Sequence, residues 1–70
     1  SPIQIQGTRH FINECKLNHI RIGCIEKTVS EWVSKFNEVG KSEGYTDNQI
    51  KEYGLYIKLI HDINKLRKSK

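Results

Sequence analysis

The 70-residue sequence has no methionine, one proline, one tryptophan, two cysteines and no long apolar run. Two cysteines are too few for the disulfide framework of a small secreted domain. Without a run of about 20 apolar residues or a charged-then-apolar leader, the sequence predicts neither a membrane span nor a signal peptide. We therefore expect a cytoplasmic domain. Because it begins with Ser-Pro rather than methionine, we also expect a fragment of a longer protein.

The sequence also lacks a catalytic constellation. Glu26 and Glu31 are five residues apart, so they would not share a helix face as an acid–base pair. Neither thiol has the adjacent base or helix terminus that marks a cysteine nucleophile, and there is no glycine-rich phosphate loop. We predict that this segment is not itself an enzyme and that it has no cofactor.

One set of residues has the chemistry of zinc ligands: His10, Cys15, His19 and Cys24. Cys15 and His19 are four residues apart, a spacing that places two ligands on one face of a helix. The short Cys-x-x-Cys pair typical of structural zinc sites is missing, however. The sequence therefore favours packing thiols and surface histidines, and we predict no metal site.

Apolar spacing is the strongest positive signal. One row has the helical intervals i, i+3, i+4, i+7 and i+10, and it consists of Val29, Trp32, Val33, Phe36 and Val39. It predicts a helix from about Glu26 to Val39, ended by Gly40, with Trp32 in the core. A second row predicts the longest helix, from Asp47 to Lys68, and consists of Ile50, Tyr53, Ile57, Ile60 and Ile63. Its start is a capping box formed by Thr46 and Gln49, and Gly54 predicts close approach of another helix.

The N-terminal third has a weaker pattern. Residues 1–7 alternate apolar and polar side chains, and Pro2 disfavours a helix, so we expect an extended lead-in. Thr8 is a plausible N-cap for a first helix from Arg9 to Arg21, and Gly23 is suited to end it. The predicted fold is an all-α, compact three-helix bundle that forms a single domain over residues 8–70.

The formal net charge of +4 is unevenly distributed. It is +2 in residues 1–24, −1 in residues 25–46 and +3 in residues 47–70. Such an excess can bind a nucleic-acid backbone, although cations near a helix C-terminus also complement its dipole. The candidate nucleic-acid-binding residues are therefore basic side chains near the two ends, Arg9, His10, Arg21, Lys58, Lys65, Arg67 and Lys68.

A helix-turn-helix that binds double-stranded DNA is an alternative. It would use residues 15–22 as the first helix, a turn at Gly23 and a recognition helix from Glu26. His19 would occupy the position of a small packing residue, and the exposed face of the recognition helix would be mixed to acidic, which repels phosphates. A helical protein-interaction module is the other alternative.

A series of short motifs resembles the primase C-terminal helical domain family. The matching elements are Gly7-Thr8-Arg9-His10, Gly23, Val29, Phe36-Asn37 and the stretch from Tyr45 to Ile50. Two departures are His10, where the family usually has asparagine, and the missing Pro-Pro before the last helix. Members of that family accompany the catalytic domains of primases and primase–polymerases of phages, plasmids and other mobile elements.

The resemblance implies a non-catalytic accessory domain in DNA replication. Its partners would be a single-stranded DNA template or an initiating nucleotide, together with an adjacent primase catalytic domain, and no membrane. Arg9 and His10 would lie in the first turn of the first helix, where free N–H groups favour a phosphate. Tyr45 or Tyr56 would stack on a base if exposed.

Overall fold

The structure is a computed structural model that describes residues 3–68. A four-stranded antiparallel sheet comes first, formed by β1 (Gln4–Gln6), β2 (Phe11–Lys16), β3 (His19–Ile22) and β4 (Ile25–Thr28). Two helices follow, α1 (Val29–Ser42) and α2 (Asp47–Lys68). The spatial order of the strands is β1-β2-β3-β4. The predicted all-α three-helix bundle is therefore wrong, and the domain has an α+β fold.

The strands follow from a period of two in the N-terminal third. Ile20 and Ile22 are buried in the core, while Arg21 between them is exposed. Ile12 is buried in the same way on the neighbouring strand. Alternation of this kind is typical of a strand with one covered face. The predicted first helix, from Arg9 to Arg21, is wrong because these β-branched residues alternate instead of recurring every three or four positions.

Two tight hairpin loops connect β2 to β3 and β3 to β4. Lys16 pairs with His19 across the first loop, and Ile22 pairs with Ile25 across the second. Asn18 and Gly23 adopt left-handed conformations, with φ of 62° and 61°. Two-residue hairpin loops need such conformations, and asparagine and glycine adopt them at the lowest cost. Gly23 is thus left-handed as expected, but it turns a hairpin instead of ending a helix.

The helix-turn-helix alternative required a helix over residues 15–22. These residues form the end of β2, the loop and β3, so that helix is absent from the described chain.

Helix α1 begins three residues later than predicted, because Ile25–Thr28 pairs with β3 as a strand. Thr28 is the N-cap: its Oγ1 accepts the N–H of Glu31 at 3.1 Å, and the Glu31 carboxylate accepts the Thr28 N–H at 3.0 Å. The helix also continues past Gly40 to Ser42. A Cβ on Gly40 would lie 2.7 Å from Cγ1 of Ile50, so this glycine permits helix contact rather than helix termination.

Helix α2 has the predicted bounds, Asp47–Lys68. The predicted capping box is confirmed, since the Thr46 N–H donates to Gln49 Oε1 at 2.9 Å and the Gln49 N–H donates to Thr46 Oγ1 at 3.1 Å. The close helix approach predicted at Gly54 is confirmed as well. A Cβ there would lie 2.6 Å from Cε2 of Phe36 on α1.

The core lies between one face of the sheet and the two helices. Its buried apolar residues are Ile12, Ile20, Ile22, Val29, Trp32, Tyr53, Ile57 and Ile60. Trp32 is 3% exposed, as expected for a core residue, and its indole N–H donates to the carbonyl of Ile20 at 2.8 Å. This bond fixes α1 to the middle of the sheet while satisfying a buried donor.

The expected lead-in over residues 1–7 contains β1, whose residues pair with β2. Residues 1 and 2 lie outside the described part of the chain, as do residues 69 and 70.

Candidate phosphate-binding surface

Helix α2 has two flanks beside its buried face, and they carry different chemistry. We name them by their residues. The sheet-binding flank consists of Glu52, Tyr53, Tyr56 and Arg67, and the lysine flank consists of Lys51, Lys58 and Lys65. At 100° per residue, the three lysines fall within about 40° of one another on the helix.

Arg67 is engaged inside the domain. Its Nη1 donates to both carboxylate oxygens of Glu14 on β2 at 3.1 Å, and to Oδ1 of Asn64 at 3.2 Å. The Glu14 side chain is only 5% exposed, and its Oε1 also accepts the N–H of Ile3 at 3.2 Å. Arg67 therefore compensates a buried charge and ties the C-terminal end of α2 to the sheet.

Tyr53 binds the loop between β1 and β2. Its hydroxyl donates to the carbonyl of His10 at 2.7 Å and accepts the N–H groups of Arg9, at 2.9 Å, and His10. Glu52 binds the same loop, accepting the Thr8 N–H at 3.0 Å and the Thr8 hydroxyl. These bonds from Thr8 and from the Tyr56 hydroxyl lower the pKa of the Glu52 carboxyl.

Arg9 and His10 lie in this loop and not in the first turn of a helix, so the placement expected for them is wrong. The Arg9 guanidinium donates to the carbonyls of Gly44 and Glu43 at 2.9 and 3.1 Å, and it lies 4.8 Å from the centre of the Tyr45 ring. His10 Nδ1 hydrogen-bonds the Tyr45 hydroxyl. Both side chains therefore hold the turn between α1 and α2.

Tyr45 and Tyr56 are half-buried. Burial raises the pKa of Tyr45 to about 12, and the nearby Arg9 charge opposes that rise. The Tyr56 hydroxyl donates to Glu52 at 2.6 Å, and this bond raises the pKa of Tyr56. Both rings pack against Tyr53 edge to face.

Arg21 lies on the exposed face of the sheet, on the opposite side from the helices. Its Nη2 is 3.3 Å from Oε1 of Glu26, and Lys16 lies 3.8 Å from the other carboxylate oxygen. The hydrogen bond from Arg21, more than the charge of Lys16, lowers the pKa of Glu26. The structure thus separates Arg21 from the basic residues of α2.

The lysine flank borders the groove between the two helices. Lys51 lies beside Phe36 and Asn37 of α1, and Lys58 and Lys65 lie beside Val33 and Phe36. The lysines are spaced seven residues apart, which corresponds to about 10 Å along the helix. All three side chains are exposed.

One lysine of this flank, Lys58, forms an ion pair with an acidic residue. Lys58 Nζ is 3.1 Å from Oδ2 of Asp62, and its hydrogen bond lowers the pKa of the Asp62 carboxyl. Across residues 3–68, neither the Lys51 nor the Lys65 ammonium group has an intramolecular ion pair or hydrogen bond. The flank therefore keeps two ammonium groups that are open to a ligand and a third that is shared with Asp62.

A concave site lies at the end of the lysine flank, against the N-terminus of α1. It is lined by Asn18, Thr28, Val29 and Ser30 on one side and by His61, Asn64, Lys65 and Lys68 of α2 on the other. Lys65 and Lys68, two of the predicted nucleic-acid-binding residues, meet here. Lys58 lies about two turns before Lys65 on the same flank.

Of the seven predicted binding residues, the structure brings together only three on α2, which are Lys58, Lys65 and Lys68. Arg9, His10, Arg21 and Arg67 have internal partners at three other places. Sequence reasoning missed Lys51, although its seven-residue spacing from Lys58 and Lys65 was visible. It also missed Ser30 and Asn64, because their importance depends on the contact between α1 and α2.

The potential zinc ligands do not converge. In the described part of the chain, no group of three or more His, Cys, Asp or Glu side chains is placed to hold a metal ion. Cys15 and Cys24 are free, and His19 Nδ1 donates to the carbonyl of Leu17 at 2.9 Å. A cavity beside Trp32 and Tyr53 measures about 40 Å³. It has room for about one water and not for a cofactor.

The sequence matches no family model, and no curated protein or solved structure matches it significantly. Neither helix in residues 3–68 has a stretch that is both long and apolar enough to cross a lipid bilayer.

Proposed function

We propose that this domain is a non-catalytic nucleic-acid-binding module whose lysine flank contacts the phosphate backbone of a single strand. The observation that carries the proposal is the row of three exposed lysines at seven-residue spacing along α2. A positive row of this kind binds phosphates without reading sequence. Lys68, three residues after Lys65, is a fourth exposed cation near the C-terminal end of the row.

The distribution of charge between the two helices supports the proposal. Helix α2 carries five basic and three acidic side chains, whereas α1 carries two of each. The positive excess of the helical layer therefore belongs to α2. One of its cations, Arg67, is bound to Glu14, so the lysines are left as the available contacts.

The primase context implied by the motif resemblance stays a prediction. The all-helical fold that came with it is wrong for this chain, and the proposal depends on the lysine flank alone.

The experiment is fluorescence anisotropy with a labelled single-stranded DNA of mixed sequence over a series of salt concentrations. We expect weak binding whose logarithm falls linearly with the logarithm of salt, with a slope of about −3 for four phosphate contacts. The double variant K58A/K65A should lower the affinity several-fold and reduce the slope by about 1.4, which is the loss of two contacts.

The matched control is K35A/K41A, which removes the same charge from exposed positions of α1. Its effect should be much smaller, because these lysines lie off the lysine flank. Equal loss in both variants would show a response to net charge alone and would contradict the proposed surface. Absence of salt-dependent binding in the unmodified domain would refute nucleic-acid binding altogether.

A protein-interaction module is the second candidate, and a separate observation favours it. Three leucines on the solvent side of α2 are strongly exposed: Leu55 at 68%, Leu59 at 49% and Leu66 at 71%. Exposed apolar side chains on one side of a helix are typical of protein contacts. Two results together would favour this function over the first. The unmodified domain would show no salt-dependent DNA binding, and the Leu55→Ser/Leu66→Ser variant would bind a partner protein less well than the unmodified domain does.

A further inference from the structure

The N-terminus of α1 has one unused donor. The Thr28 N–H is taken by Glu31, the Glu31 N–H by Thr28 Oγ1, and the Val29 N–H by the carbonyl of Asn18 at 2.9 Å. Within the described residues, the N–H of Ser30 has no protein acceptor. A free N–H in the first turn of a helix, together with the helix dipole, favours an anion.

A second and independent observation lies on α2. Asn64 is 7% exposed, and its Nδ2 is buried with no hydrogen-bond partner in the described structure. A buried donor without an acceptor destabilises the folded state, so it needs an explanation. Asn64 lines the same concave site as Ser30.

The orientation of the Asn64 amide follows from its other bond. Oδ1 accepts from Arg67, which lies on the sheet-binding flank. His61, Lys65 and Lys68 lie on the other side of Asn64 around the helix and line the concave site. Because the amide is planar, turning Oδ1 toward Arg67 turns Nδ2 toward that site.

We propose that this site binds a phosphate group, held by the Ser30 N–H and Asn64 Nδ2 and neutralised by Lys65 and Lys68. A tetrahedral oxyanion supplies acceptors for both unused donors, which a cation or an apolar group does not. The Asn64 Nδ2 atom is covered in the free protein, so binding requires side chains at the site to move. Lys65 and Lys68, which line the site, are exposed. The chemistry is shared by inorganic phosphate and by the phosphate of an oligonucleotide.

Two carboxylates oppose the anion. Glu31 caps the same end of α1, and Asp62 lies 3.4 Å from His61 Nδ1. Their charges predict modest affinity for an isolated phosphate and a gain when Glu31 is neutralised. Glu31→Gln keeps the capping box, since glutamine at this position forms the same bonds.

Lys65 and Lys68 belong both to the phosphate site and to the proposed nucleic-acid contact. The inference therefore rests on the proposed function only for the identity of the molecule that carries the phosphate. Inorganic phosphate tests the site itself, and oligonucleotides with a 5′-phosphate or a 5′-hydroxyl distinguish its sources. Shifts with the 5′-phosphate form alone assign a terminal phosphate, and equal shifts with both assign an internal phosphodiester.

The experiment is a ¹⁵N NMR titration of the domain with inorganic phosphate, compared with chloride at equal ionic strength. We expect saturable shifts of the Ser30 amide and of the Asn64 side-chain amide. Asn64→Asp keeps the acceptor for Arg67 and removes the donor, and it should weaken phosphate binding at least about tenfold, as for one hydrogen bond to a charged group. Lys41→Ala, in the last turn of α1 and outside the site, should leave it unchanged.

Shifts that chloride reproduces, or that Asn64→Asp leaves intact, would overturn the inference. Glu31→Gln is a second test that leaves the buried Asn64 unchanged. It removes a negative charge beside the anion, so phosphate affinity should rise about threefold. Unchanged or weaker phosphate binding would contradict the site. Phosphate binding without oligonucleotide binding would refute the proposed function and leave this site standing. Oligonucleotide binding without shifts of the Ser30 and Asn64 amides would refute this site and leave the proposed function standing.

Discussion

The two flanks of α2 carry similar numbers of polar groups but use them in opposite ways. On the sheet-binding flank, every polar side chain named above has a partner in the N-terminal half of the domain or next to it on the helix: Tyr53 binds the Arg9–His10 loop, and Arg67 binds Glu14. On the lysine flank, Lys51 and Lys65 have no such partner in residues 3–68. The comparison shows that basic residues in the sequence do not by themselves identify a binding site, because the fold determines which charges remain available to a ligand.

The comparison predicts that Arg67→Ala has the largest effect on stability. It leaves the buried Glu14 carboxylate without its cation, and we expect a loss of about 2–3 kcal/mol in the free energy of unfolding, below the full cost for a completely buried pair because Arg67 is partly exposed. Urea denaturation measures it. Lys65→Ala, the matched change on the lysine flank, should cost less than about 0.5 kcal/mol. Equal losses would show that the flanks do not differ.

Tyr53→Phe should have the next largest effect. It removes one hydroxyl that serves the backbone of Arg9 and His10, so we expect a loss of about 1–3 kcal/mol from unsatisfied buried groups. Thermal unfolding measures it. Tyr56→Phe is the control, because its hydroxyl serves only the Glu52 carboxylate, and it should cost about 1 kcal/mol or less. A larger loss for Tyr56→Phe would contradict the role given to Tyr53.

Asp62→Asn tests the lysine flank by making one more of its ammonium groups available. It frees Lys58 from its only ion pair among the described residues, and exposed pairs of this kind contribute up to about 1 kcal/mol. We expect affinity for single-stranded DNA to rise about twofold to fivefold with little change in stability. Anisotropy titration at low salt gives the affinity. Unchanged affinity would exclude Lys58 from the contact surface.

The smallest effect concerns pH. The pKa of Glu52 is lowered from its ordinary value of 4.5, chiefly by the hydrogen bond from Thr8. A lowered folded-state pKa means that this contribution is present above about pH 4.5 and is lost as pH falls through the folded value. We expect a decline in stability below pH 4.5 that is shallower in Glu52→Gln. Identical pH profiles for the two proteins would contradict the Glu52–Thr8 contact.

The helical half of the fold was predictable because its signals are local. The row from Ile50 to Ile63 and the Thr46–Gln49 capping box determine α2, and the structure has the expected bounds. The sheet was missed because strand pairing depends on partners distant in sequence. The alternation at Ile20, Arg21 and Ile22 indicated a strand locally, but the apolar residues of this stretch also suit a helix face.

The candidate site was predictable only in part. The lysines of α2 could be found from charge and spacing, since the helix was correctly placed. Arg67 could not be separated from them in the sequence, because its partner Glu14 is 53 residues away. Asn64 gave no signal, since a polar residue within an apolar row has meaning only once its neighbours on α1 are known.

The most direct test of the lysine flank is an NMR titration of the ¹⁵N- and ¹³C-labelled domain with single-stranded DNA, observing the lysine side-chain Cε–H signals. The proposed function predicts salt-dependent shifts at Lys51, Lys58, Lys65 and Lys68, with Lys16 and Lys35 unmoved. Shifts confined to Lys16, which pairs with Glu26 of the sheet, would contradict it.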